Sequence, residues 1–126
     1  MKGYTSLLIL KRIFRIMMSE GSLTEEPKPC DVFDLIVGTS TGGLIAVMLG
    51  RLHMTIDECL REYEQTGKVV FDKSFTSSKL SKLIKGVSGS SFYDINNLQA
   101  RIKEVVSIHM SDTSLDFKED NPRCKV

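Results

Sequence analysis

The chain has 126 residues, 41% of them hydrophobic, and a net charge of +1. That length suits one domain with its own core, and the balanced charge gives no general attraction to nucleic acid. No apolar run approaches the roughly 20 residues of a membrane span. Lys11, Arg12 and Arg15 interrupt the apolar run from Leu7 to Leu10 before a leader's hydrophobic segment of ~7–15 residues can form. Cys30, Cys59 and Cys124 are far apart, odd in number and without metal-site spacing. They read as buried or incidental thiols, and the expectation is a soluble, cytoplasmic protein without a metal.

From Ser6 to Glu20, Leu7, Leu10, Phe14 and Met17 share one helical face, broadened by Leu8, Ile9, Ile13 and Ile16. So wide a stripe predicts a helix packed against a sheet. Gly21 is a C-cap, and residues 24–29 form a loop returning the chain to a strand. A helix leading into a strand is half of a parallel crossover. Residues 1–4 are too short and polar to supply the strand before it, so the sequence is expected to start inside its own fold.

The apolar run Phe33-Asp34-Leu35-Ile36-Val37 then meets Gly38-Thr39-Ser40-Thr41-Gly42-Gly43, and Leu44 to Leu49 follow with a helical pattern. Strand, sharp turn and helix with a serine at the turn read as a mount for a nucleophile. Gly38 and Gly42 are expected to be glycine because a Cβ there would clash as the chain reverses. The geometry lifts the Ser40 hydroxyl above the strand end, and backbone N–H groups nearby can stabilise charge developing on a substrate oxygen. A simpler reading is a glycine turn that eases strand–helix packing. A Walker loop would need Lys after Gly43, where Leu44 stands, and no Gly-x-Gly-x-x-Gly occurs, so nucleotide binding loses its support.

His53, at the expected end of that helix, and His109, near the end of a later one, read as cations on helix dipoles rather than catalytic bases. Thr55-Ile56-Asp57-Glu58 is a capping box opening a helix to about Val69, with Ile56, Cys59, Leu60 and Tyr63 on one face. From Asp72 to Ser91 the composition turns to Ser, Lys and Gly, which predicts a surface excursion. Within it Lys79, Lys82 and Lys85 flank Leu80, Leu83 and Ile84, as either a solvated face or a contact with anionic lipid. Asp94 caps a helix carrying Ile95, Leu98, Ile102, Val105 and Val106 to about His109. A polar stretch from Ser111 to Arg123 follows, and Cys124-Lys125-Val126 reads as the opening of another strand.

The segment from Pro29 to Arg51, with the Gly38-to-Gly43 turn at its centre, resembles the patatin-like phospholipase family, particularly its fungal-type members. The likeness covers most of the chain. It implies a three-layer α/β/α fold on a mainly parallel sheet. In the family a glycine-rich oxyanion loop, Asp-Gly-Gly-Gly-x-Arg/Lys-Gly, leads into a helix like the one from Thr5 to Arg12. Lys2 and Gly3 align with the loop's last two residues. The implied chemistry is acyl ester hydrolysis of a lipid by a Ser-Asp dyad, with Ser40 as nucleophile and no cofactor. The base is an aspartate of an Asp-Gly-Gly or Asp-Gly-Ala motif, and none of the eight aspartates here precedes a glycine. On this reading residues 1–126 are one partial domain, truncated at both ends and inactive alone, without its Asp partner. The alternative is a non-catalytic interaction module that keeps the elbow as scaffold. Implied partners are a phospholipid, galactolipid or glyceride, peripheral membrane contact and further domains.

Overall fold

A computed structural model describes residues 2–21, 24–71, 95–110 and 118–126. The helices are α1 (Lys2–Glu20), α2 (Pro29–Val32), α3 (Thr41–Ala46), α4 (Ile56–Phe71) and α5 (Ile95–His109), and α3 continues into a π-turn over Val47–Arg51. The Lys79, Leu80, Lys82, Leu83, Ile84 and Lys85 stretch and the Asp94 cap lie outside the described residues.

Four segments meet in the core. Leu7 of α1, Met48, Leu49, Leu52 and Met54 on and after the π-turn, Cys59 and Tyr63 of α4, and Val105 of α5 form one buried cluster. Each of these side chains is at most 8% exposed. Removing such a group leaves a cavity as well as losing apolar burial, so Leu7→Ala falls in the range of roughly 2–5 kcal/mol.

Charged pairs also link the helices. Lys11 of α1 reaches Asp57 of α4. Arg101 of α5, 7% exposed, reaches Glu62 and donates to Gln65 of α4 at 2.8 Å. A buried guanidinium is tolerated because carboxylate and amide oxygens replace its water, and Glu104 of α5 supplies a second carboxylate at 2.7 Å. Arg101 Nε is buried without a hydrogen bond among the described residues.

The wide apolar stripe of α1 divides in two. Leu7 and Phe14 are buried and Leu10 partly so, where α1 lies against α4 and α3. Leu8, Ile9, Ile13, Ile16 and Met17 are 37–57% exposed, so among the described residues no sheet covers them. Leu35 and Val37 are exposed as well, and the Phe14 and Phe33 rings, 6.2 Å apart, join α1 to their segment.

The expected strand from Phe33 to Val37 differs in two respects. Its approach is helical: Pro29, pre-set for the first helical position, starts the single turn of α2, closed by the Phe33 N–H donating to the Pro29 carbonyl at 2.9 Å. Its pairing among the described residues is one parallel bridge between Leu35 and Lys125. Ile36 N–H donates to the Lys125 carbonyl (2.9 Å), and Lys125 N–H donates to the Asp34 carbonyl (2.8 Å). Arg123 supports this bridge by donating to the Asp31 carbonyl at 2.9 Å.

The helix after Ser40 also departs from the pattern. It starts at Thr41 rather than Leu44 and widens at Val47, where the Leu52 N–H reaches back five residues to the Val47 carbonyl. Gly50 lies on this turn, and a Cβ there would sit 2.4 Å from Val126 Cγ2. The wide turn therefore lets the 125–126 segment pass close to the backbone. His53 lies just past the helix end, next to the Leu52 C-cap, with φ 51°.

The capping box forms as the sequence predicts. Thr55 N–H donates to Glu58 Oε2 at 2.8 Å, and the Glu58 N–H donates to Thr55 Oγ1 at 3.2 Å. The Thr55 N–H holds the Glu58 carboxyl below the ordinary range, outweighing the opposing effect of burial. A lowered folded-state pKa makes the carboxylate's contribution complete above its unfolded value of about 4.3, and loses it as pH falls through the lower folded value. Thr55→Ala should cost about 1 kcal/mol. Glu58→Gln should flatten the acid limb of stability in thermal melts below about pH 5. An unchanged acid limb would show that the box is not its source.

Candidate active site

Ser40 stands at the N-cap of α3 with φ 55° and ψ −129°. For a residue with a Cβ this is strained, at a cost of order 1–3 kcal/mol, and such torsions persist only where the surroundings impose them. A serine at an N-cap ordinarily takes extended torsions and accepts a hydrogen bond from the first helical turn. Here the side chain makes no capping bond. The strain turns the hydroxyl away from its usual structural use, and Ser40 is exposed.

Two short-range bonds close the turn: Gly42 N–H donates to the Thr39 carbonyl and Gly43 N–H to the Ser40 carbonyl, each at 3.0 Å. They fold the chain so tightly that a Cβ on Gly38 would lie 2.1 Å from the Gly42 carbonyl oxygen, and one on Gly43 would lie 3.3 Å from the Gly38 oxygen. Gly38 is thus demanded by backbone against backbone, where no side chain can yield. Gly42 is not: a Cβ there meets nothing within 4 Å. The expectation that both glycines answer a clash holds for Gly38 and fails for Gly42, which lies on the open side of α3.

Thr39 and Thr41 are exposed on either side of Ser40. Lys2 and Gly3 form the first turn of α1. Gly3 is close to the elbow helix: a Cβ on it would lie 3.0 Å from Ile45 Cδ1, and 2.5 Å from the Tyr63 hydroxyl. Of the two residues aligned with the oxyanion loop, the structure brings Gly3 to the helix that carries Ser40. The sequence reading missed Ile45 and Tyr63 as their neighbours, although a glycine inside an otherwise helical stretch is a signal of close approach.

Neither histidine is hydrogen-bonded to Ser40. His53 Nε2 is 3.9 Å from Glu119 Oε2. His109 ends α5, and its charge contributes to the low pKa of Glu58. The three cysteines are buried free thiols. Burial, with the neighbouring Glu62 charge, pushes Cys59 up to about 12, which suits a core thiol and not a nucleophile.

Gly38→Ala should destabilise the chain severely, by about 3 kcal/mol or more, because two backbone segments must part. Gly42→Ala should be neutral or stabilising by up to about 1 kcal/mol, since alanine is the better helix residue and has room. Denaturant unfolding of the two variants checks this, and equal losses would contradict the geometry.

Three comparisons with known proteins bear on this site. The profile of the patatin-like phospholipase family matches residues 1–125. Phospholipase A I of Arabidopsis thaliana is 33% identical over 137 residues, covering 96% of this chain and 10% of the relative. Calcium-independent phospholipase A2-gamma of Mus musculus is 35% identical over 124 residues, covering 98% of this chain and 14% of the relative. Patatin-like protein 2 of Arabidopsis thaliana is 35% identical over 98 residues, covering 72% and 23%. No solved structure matches. The chain spans about a tenth to a seventh of the first two relatives. With its whole length but one residue matched by the family profile, the chain belongs to the patatin-like phospholipase family.

Proposed function

We propose that this chain carries the nucleophile of a serine lipid acylhydrolase. The observation that carries the reading is the strained torsion of Ser40 at the head of α3, inside Gly-Thr-Ser-Thr-Gly and in a chain of this family. Ser40 Oγ attacks the ester carbonyl carbon while a base takes its proton. The tetrahedral oxyanion collapses, expelling the alcohol portion of the lipid and leaving an acyl-serine, which water then cleaves to release the fatty acid. The N–H of Thr41, first in its helix and so without an intrahelical partner, is a suitable oxyanion donor. In this reading the first turn of α1, with Lys2 and Gly3, leads in the remaining donors.

The base in this reading is an aspartate of an Asp-Gly motif. Because no aspartate here precedes a glycine, the reading draws it from sequence outside these 126 residues and makes the chain inactive alone. The proposed fold is the three-layer α/β/α arrangement on a mainly parallel sheet, with these residues as part of one domain. The parallel Leu35–Lys125 bridge and the uncovered apolar residues of α1 support it. The fungal-type grouping rests on the residue pattern from Pro29 to Arg51. The proposed setting is cytoplasmic, and among the described residues no helix is long and apolar enough to cross a membrane. No step calls on a metal, in keeping with a relative named calcium-independent. The absence of an Asp-Gly pair favours the second reading, a non-catalytic module.

In the gene product that carries this chain, Ser40→Ala should lower phospholipid or short-chain ester hydrolysis by about four orders of magnitude or more, as loss of a nucleophile does. Thr41→Ala, which keeps the backbone N–H, should lose far less. Equal loss in both would contradict the assignment, and no hydrolysis by the unaltered protein would favour the non-catalytic module. Peripheral membrane contact is assigned to Lys79, Lys82 and Lys85. Replacing all three by Gln should weaken binding to phosphatidylserine vesicles in a salt-dependent way while sparing a soluble ester. Equal binding would leave only a solvated face.

A further inference from the structure

Tyr63 belongs to α4 and not to the turn that holds Ser40, yet its hydroxyl lies where Gly3 leaves room for it. A Cβ at Gly3 would sit 2.5 Å from Tyr63 Oη, 2.8 Å from Tyr63 Cζ and 3.0 Å from Ile45 Cδ1. The three residues belong to three different elements. Gly3 is in the first turn of α1, Ile45 is one turn and a half after Ser40 in α3, and Tyr63 is in the middle of α4. Tyr63 is 6% exposed and belongs to the main buried cluster, so its ring cannot easily swing aside. Further along α1, Lys11 pairs with Asp57, so α1 is tied to α4 at a second point two turns away.

From this contact we infer that Tyr63 is a positioning residue: with Gly3 and Ile45 it sets the separation between the N-terminal turn of α1 and the helix that holds Ser40. The inference rests on the proposed acyl transfer, because that separation matters only if a substrate oxygen is bound between the two. Donors aimed at a developing oxyanion lose their effect when misplaced by about 1 Å, a displacement that can cost on the order of 100-fold in rate. An added methyl at Gly3 leaves too little room at under 3 Å for both α1 and Tyr63 to stay in place, and because the ring is held in the buried cluster the shift falls on α1, by a comparable distance.

The test uses the gene product that carries this chain, with a short-chain p-nitrophenyl ester as substrate and rates expressed per folded molecule from circular dichroism. Gly3→Ala should lower kcat by about 10-fold or more with KM within about 2-fold, because the loss falls on the transition state. Tyr63→Leu removes the hydroxyl and the outer ring that the new methyl would strike. The double variant should therefore recover kcat to within about 3-fold of Tyr63→Leu alone, while its thermal midpoint stays below that of the unaltered protein. A purely structural contact would lower the midpoint and leave kcat per folded molecule unchanged in Gly3→Ala; that result overturns the inference. So does a double variant no faster than Gly3→Ala. Absence of hydrolysis in the unaltered protein overturns the ester-hydrolase reading, and this inference with it, whereas hydrolysis with unchanged kcat in Gly3→Ala overturns this inference alone.

Discussion

The backbone of Gly38 against the carbonyl of Gly42 is the contact on which the site depends. With 2.1 Å between that oxygen and the place a Cβ would occupy, the turn can close only if position 38 has no side chain. Its closure imposes the left-handed torsion on Ser40, and the torsion removes the hydroxyl from a capping role that serines at helix starts otherwise fill. One steric constraint thus converts a common structural residue into an exposed serine at a helix start whose hydroxyl does not cap the helix. The energy that holds it there comes from the buried residues that follow, because Met48, Leu49 and Leu52 anchor the far end of the same helical run in the core.

The remaining elements fix what surrounds that hydroxyl. The Leu35–Lys125 bridge holds the segment leading into the turn, and Arg123 holds the bridge against α2. The capping box starts α4 in the correct direction, and α4 carries both the Tyr63 contact with α1 and the Glu62 partner of Arg101. A nucleophile and oxyanion donors drawn partly from a second element work only at a set distance, and a shared core of this kind supplies the rigidity that the distance requires.

Legibility in the sequence followed the physics of each signal. The Thr55–Glu58 box was readable because its reciprocal hydrogen bonds are local, and the buried faces of α4 and α1 were readable from spacing. The turn around Ser40 was readable as a glycine-flanked turn, but glycine alone does not say which position is sterically required; that depends on where the neighbouring carbonyl points, and it separates Gly38 from Gly42. The α2 turn was missed because Pro29 is equally at home in a loop, and the π-turn because nothing in Val47-Met48-Leu49-Gly50-Arg51 marks it before Val126 is seen against Gly50. The role of Gly3 beside Tyr63 joins positions sixty residues apart and leaves only one hint, a glycine within a helix. The outward apolar residues of α1 belonged to the predicted stripe; that they stay exposed among the described residues is tertiary information.

The central claim is that the elbow presents Ser40 as an activated nucleophile. The most direct measurement is peptide mapping by mass spectrometry after brief exposure of the gene product to a fluorophosphonate at neutral pH. The account predicts one phosphonylated peptide, containing Gly38 to Gly43, with the adduct on Ser40 and no labelling after acid unfolding. An adduct on another serine, or equal labelling of folded and unfolded protein, would contradict it.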